Sequence, residues 1–145
     1  MKLQSLIKKF KFDWVNSEIT DENFPQQDGD ELTKEYKLYN FGKSISSEYA
    51  IREMEKDGYK PATARNLLKW KGWNGKDWVV ALGSVWPGLF GRRYVLVLYS
   101  LDSRRRLGLN RFELDWVGPF RFLAVRKYGT SDTRKLKNPL NPLDS

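Results

Sequence analysis

The sequence predicts a single α+β domain in which two helices pack on a twisted, mainly antiparallel sheet, preceded by an N-terminal helix and an extended arm. Helical periodicity comes first along the chain and strand-like runs come after it, the order of an α+β rather than an alternating fold. The stretch "GYKPATARNLLKW", residues 58–70, reads as a helix stop, one extended step and a new helix start. A chain of 145 residues also suits one core, burying about two thirds of its unfolded surface without a metal or a disulfide.

Leu3, Leu6, Ile7, Phe10 and Trp14 recur at i, i+3, i+4, i+7 and i+11, one face of a short N-terminal helix, with Lys8, Lys9 and Lys11 mostly off it. Packing on the core is expected rather than a membrane-surface role, because Asp13, Glu18, Asp21 and Glu22 follow at once and anionic lipid would repel them. Residues 16–31, "NSEITDENFPQQDGDE", read as an arm of turn formers and acids, pinned to the core by Ile19 and Phe24.

A second helix should start after Ser46 or Ser47 as N-cap and stop at Gly58 in a left-handed conformation. Glu48 stands at its positive end and is spaced i, i+4 from Arg52. Pro61 then biases Lys60 toward an extended conformation, and Thr63 caps a helix from Ala64 to about Lys71 whose buried side is Leu67, Leu68 and Trp70. Such a joint fixes the angle between two helices so that both lie against the sheet.

Strands follow. "DWVVALGSVW" and "RRYVLVLYS" are β-branched and aromatic, the second apolar throughout Tyr94–Tyr99 as in a strand buried on both faces. "PGLFG" is the turn between them. "RLGLNRF" alternates Leu107 and Leu109, and "FRFLAVRK" sets Phe120, Phe122 and Ala124 against Arg121, Leu123 and Val125. Residues 1–45 are thus read as helix and acidic arm, 46–127 as the main domain, and 128–145, with two Asn-Pro steps, as a poorly ordered tail.

The chain has no Cys and no His, which removes thiolate nucleophiles, cysteine zinc sites and the usual general base. Its longest apolar stretches fall short of the roughly 18 residues of a membrane span, and "MKLQSLIKKFKF" lacks the apolar core of a signal peptide. A soluble, cytoplasmic protein without cofactor or metal is the expectation. Residues 1–60 carry 10 basic and 12 acidic side chains, residues 61–145 carry 16 and 6, so the net charge of +8 belongs to the C-terminal half.

"GYKPAT" followed by "ARNLLKW" resembles the helix entrance of C-type lectin-like domains in the formylglycine-generating-enzyme-type branch, which reads Gly, aromatic, Arg, Leu, Pro, Thr and then a helix with a Trp; the Leu before Pro is lacking here. "PFRFLAVRK" is similar to the closing strand of that branch, which includes the variable proteins of diversity-generating retroelements. The resemblance spans residues 44–127. "ISSEYAIREMEKDGYKPAT" and "NGKDWVVALGSVW" look like a group of bacterial proteins present in many related copies, in which the segment equivalent to 92–118 differs between copies. The resemblance implies a C-type-lectin-like scaffold that presents a variable surface. It does not extend to oxidase chemistry, which needs cysteines, nor to calcium-dependent sugar binding: the Glu-Pro-Asn and Trp-Asn-Asp triplets are absent, and neither "FELDW" nor "NPLD" clusters the oxygen ligands calcium requires.

The expected binding surface comprises Arg92, Arg93, Tyr99, Asp102, Arg104, Arg105, Arg106, Asn110, Arg111, Phe112, Glu113, Asp115 and Trp116, on loops and strand ends where a rigid scaffold presents hot-spot residue types to an unknown protein or other macromolecule. Against this, Phe112 and Trp116 are of the type that fills cores, Arg104–Arg106 suit a solvated turn, Trp70, Trp73 and Trp78 suit structural staples around Gly72 and Gly75, and Trp86 before Pro87 suits a structural role. The alternative partner is nucleic acid, through phosphate neutralisation and base stacking by the basic half, and it implies steep salt dependence. An enzyme would have to use Glu113 and Asp115, spaced to share one side of a strand. Arg111 beside them should lower their pKa values, the opposite of what a general acid needs.

Overall fold

The computed structural model describes residues 2–127, so the expected tail at 128–145 lies outside the described residues. In chain order the elements are α1 (Leu3–Phe10), β1 (Trp14–Val15), β2 (Tyr36–Tyr39), α2 (Ser47–Lys56), β3 (Tyr59–Pro61), α3 (Ala64–Lys69), β4 (Val79–Pro87), β5 (Arg93–Leu101), β6 (Arg104–Arg111) and β7 (Arg121–Arg126). The described residues thus form a mixed α+β structure of three helices and a seven-stranded open sheet. None of the described helices is long and apolar enough to cross a membrane.

The sheet runs β1-β6-β5-β4-β7-β2, with β3 also on β7. β4–β5, β5–β6, β2–β7 and β3–β7 are antiparallel, whereas β4–β7 and β1–β6 are parallel. β7 uses both of its edges. β2 takes one along Phe122–Val125, while β4 (at Arg121 and Phe122) and β3 (at Ala124–Arg126) share the other. The crowding at this junction explains Gly83: a Cβ there would lie 2.5 Å from the Pro61 carbonyl oxygen, and the Gly83 N–H donates to the Ala62 carbonyl at 2.7 Å.

Alternation along the central strands divides the core in two. On one face Leu96 and Leu98 of β5, Leu107 of β6 and Leu123 and Val125 of β7 meet Leu3, Leu6 and Ile7 of α1, Ile19 and Phe24 of the arm, and Leu67 and Leu68 of α3. On the other, Val95, Val97, Phe122 and Ala124 meet Ala50 and Met54 of α2 together with Phe112, Trp116 and Phe120. The two helices flanking "GYKP" therefore lie on opposite faces. The physical reason is β3: between Gly58 (φ 82°) and Thr63 the chain pairs with β7 and passes through the plane of the sheet.

Local signals account for the helix ends. Ser46 Oγ accepts from the Tyr49 N–H at 3.1 Å. Thr63 and Asn66 cap each other, Oγ1 accepting from Asn66 N at 3.1 Å and Oδ1 accepting from Thr63 N at 2.8 Å. Two expectations are corrected. α1 stops at Lys11, whose φ of 56° is left-handed, so Trp14 leaves the helical face and becomes a strand residue on β6. The hairpin turn lies at Asp102 and Ser103, both with positive φ (52° and 64°), as the two-residue turn that matches strand twist requires, so Arg104–Arg106 belong to a strand rather than a turn.

The start of α3 also holds the arm. Arg65, with its side chain 3 % exposed, sends Nη1 to the Phe24 carbonyl at 2.9 Å and Nη2 to Asp21 at 2.6 Å. Asp21 also accepts from the Leu3 N–H at 2.9 Å, tying in the start of α1. Asn66 Nδ2 donates to the carbonyls of Gly29 (2.9 Å), Asp30 (3.2 Å) and Leu32 (3.0 Å). Gln27 bridges the arm to β4, donating to the Gly83 carbonyl and accepting from Ser84 Oγ, whose oxygen accepts the Ala64 N–H. Tyr36 closes the group by donating to the Asn66 carbonyl at 3.0 Å, and burial pushes its phenol up to about 12.

Replacing Asn66 with Ala takes their bond from the Leu32 carbonyl and the Thr63 N–H, while the Gly29 and Asp30 carbonyls keep the Leu32 N–H and Lys69 Nζ. Urea denaturation should show a loss of roughly 2–4 kcal/mol, given about 1–3 kcal/mol for each buried group left without a bond. A loss under about 1 kcal/mol would contradict the role assigned to this amide.

Candidate binding surface

The β5–β6 hairpin sorts the predicted residues by strand alternation. Arg104, Arg106, Gly108 and Asn110 share the face toward α2, and Arg105, Leu107, Leu109 and Arg111 the face toward α1. Phe112 and Trp116 are corrections. Trp116 is 0 % exposed: its backbone pairs with Ile45, its indole N–H donates to Ser47 Oγ at 2.9 Å, and its ring meets Phe120 edge-on at 4.9 Å. Ser47 Oγ in turn donates to the Phe112 carbonyl at 2.6 Å, so Trp116 closes a buried relay and has no surface left for a partner. Phe112 is also buried, beneath the Arg93 guanidinium at 4.6 Å.

Arg93, Phe112 and Glu113 are thereby grouped at one end of the hairpin, where Arg93 also pairs with Glu113. The residues after Phe112 form turns, so Glu113 and Asp115 do not share a strand side. Arg93, not Arg111, is the cation that holds the Glu113 carboxyl below its usual range, through a side-chain hydrogen bond. Arg92, Asp102 and Asp115 are exposed at the ends of the hairpin and its following turn. Among the described residues no group of three or more carboxylates is placed to hold a metal ion.

In the middle, Tyr99 pairs with Arg106 across the hairpin and shares a trough with Asn110. Arg106 is the register partner of both Trp14 in β1 and Tyr99 in β5, so the three side chains form one row across the sheet. Trp78, just before β4, extends it, its ring 5.2 Å from that of Tyr99. Below the row, Gly108 gives the Tyr99 ring room to lie on the backbone: a Cβ there would meet the ring at 2.9 Å. The result is a trough of about 260 Å³ lined by Trp14, Trp78, Tyr99, Asn16 and Asn110 on a floor of Val97 and Gly108. Trp14 is 43 % and Trp78 38 % exposed, large values for indoles. Among the described residues the buried Arg106 Nε has no hydrogen-bond partner.

Trp14, Asn16 and Trp78 lie outside the 92–118 window. The signal for Trp78 is its place just ahead of the all-apolar "VVAL", the end of a central strand. Trp14 has no such signal, because a two-residue parallel strand has no periodicity of its own.

The Arg93–Glu113 pair has a pH signature. A carboxyl pKa held below its ordinary 4.5 favours the ionised folded state, so the stabilisation is complete above that value and fades as pH falls below it. Carboxyl ¹³C titration should place the Glu113 midpoint below 4.5, and Arg93→Gln should return it toward 4.5; an unchanged midpoint in the variant would contradict the assignment. Comparison of the chain with protein-family models, with curated proteins and with solved structures gave no match.

Proposed function

We propose that this chain is a non-enzymatic binding module of C-type-lectin-like type, and that it receives a protein partner on the open face of β5 and β6. The observation that carries this reading is the row Trp14–Arg106–Tyr99–Trp78, which sets two exposed indoles, a phenol and a guanidinium side by side on one face of the sheet. Aromatic and Arg side chains with little left to lose in rotamer entropy are what interface hot spots consist of. The trough is smaller than the roughly 300–1,000 Å³ of small-molecule pockets, a size for one protruding side chain of a larger partner.

The fold-level part of the proposal rests on the resemblance of "GYKPAT" and "FRFLAVR". It is supported by their pairing with each other, Tyr59 with Arg126, Lys60 with Val125 and Pro61 with Ala124. The variation between copies that the resemblance implies for residues 92–118 would have to fall on positions such as Arg92, Arg93, Arg104 and Asp115. Val95–Leu98, Leu107, Phe112 and Trp116 are core, and polar replacements there would expose or strand buried groups.

Peptides selected from a random library on the immobilised protein test the reading. Arg106→Ala should weaken their binding about tenfold or more, and raising salt from about 50 to about 200 mM should change it less than about threefold, since few charges are neutralised. Selected peptides indifferent to Arg106→Ala would overturn the assignment of this face.

A further inference from the structure

We propose a second site, on the opposite face of the sheet: the cleft between α1 and the end of α3 binds single-stranded nucleic acid. The cleft has a volume of about 570 Å³. Three aromatic rings line it, Phe10 from α1 and Trp70 and Trp73 from the segment after α3. Four cations surround them, Lys9 from α1, Lys69 and Lys71 around the end of α3, and Arg105 from β6, and none of the described lining residues is acidic. Cations from three separate elements converging without a carboxylate make a local positive potential that favours an anion and repels another cation.

The rings are set in place by the protein alone. Trp70 folds over Gly72, where a Cβ would lie 2.6 Å from its Nε1. Trp73 donates Nε1–H to the Asp77 carbonyl at 2.8 Å and is tilted against Phe10 and Phe12 at 6.4 and 6.3 Å between centroids. The Arg105 guanidinium lies 4.7 Å from the Trp73 ring centroid and donates Nη2–H to the Phe10 carbonyl at 2.9 Å; the Asp13 carboxylate is engaged by the Arg105 backbone N–H at 2.7 Å. Lys69 Nζ lies 3.2 Å from the Asp30 carbonyl, which steadies its charge.

Flat rings inside a ring of cations distinguish the occupant. Phosphates match the cations and bases match the indole faces, and stacking is worth about 1–3 kcal/mol per base in proteins that hold single strands this way. An acidic peptide would use the charges and leave the rings idle. A duplex would offer its phosphates but keep its bases stacked on one another.

The test is fluorescence anisotropy of a labelled twelve-residue oligothymidylate with the full chain. Neutralising three to four phosphates gives a log affinity–log salt slope of about −2 to −3. The double charge reversal Lys9→Glu/Lys71→Glu, at surface positions where folding is retained and checked by circular dichroism, should weaken binding at least about tenfold. The same charge change on the α2 side, Lys43→Glu/Arg52→Glu, should weaken it less than about threefold. Arg106→Ala should leave it unchanged, so that this site and the protein-binding face stand or fall separately. No binding at about 50 mM salt, equal losses in the two double variants, or stronger competition by an oligoglutamate peptide than by unlabelled oligothymidylate would overturn the proposal.

Discussion

The side chains of Arg65 and Asn66 are buried at the start of a short helix, and the N-terminal third of the chain hangs from them. Asn66 holds three arm carbonyls, Arg65 a fourth, and the Asp21 carboxylate joins Arg65 to the first N–H of α1. An arm of turn formers has little apolar area to offer, only Ile19, Phe24 and a partly buried Leu32, so hydrophobic burial alone would order it weakly. Buried polar groups work in the other direction. Once the arm is in place, removing it breaks the Arg65 bonds to Phe24 and Asp21 and the three Asn66 bonds to arm carbonyls together, which makes partial opening costly.

That constraint reaches both proposed sites, because each borrows from the chain that the arm anchors. The trough takes Trp14 and Asn16, and the cleft takes Lys9 and Phe10. One strand then separates the two chemistries. Neighbouring residues of β6 point to opposite faces, so Arg105 stands among the rings and lysines of the cleft while Arg106 stands in the row with Trp14 and Tyr99. Of the basic residues of the C-terminal half, Lys69, Lys71 and Arg105 thus line the cleft, while the trough is lined by uncharged side chains.

Much of this was legible in the residues, and what was not has a physical reason. Caps, the left-handed Gly58 and the apolar run of β5 are local effects, and each was readable at Ser46, Thr63 and Val95–Leu98. The meaning of Arg65 and Asn66 was not, because a cap and a helical Arg look solvent-exposed until an arm 35 residues away in sequence closes over them. β1, β2 and β3 are two to four residues long, below the length at which alternation declares a strand. Parallel pairing of β1 with β6 therefore stayed hidden, and with it the position of Trp14. Of the expected surface, Tyr99 meets Arg106 by register and Asn110 in the trough; Phe112 and Trp116 were drawn inward because their area and the indole N–H are best satisfied under α2, where Ser47 supplies the acceptor.

Native-state hydrogen exchange tests the central claim most directly. If Arg65 and Asn66 make the arm part of one cooperative unit, the amides of Phe24 and Leu32, bonded to the Thr20 and Gly29 carbonyls, should exchange with the same opening free energy as that of Val97 in β5. Exchange of the two arm amides orders of magnitude faster than that of Val97 would contradict it. The arm would then be a loosely attached strap, and the two sites that depend on it would not be held in place.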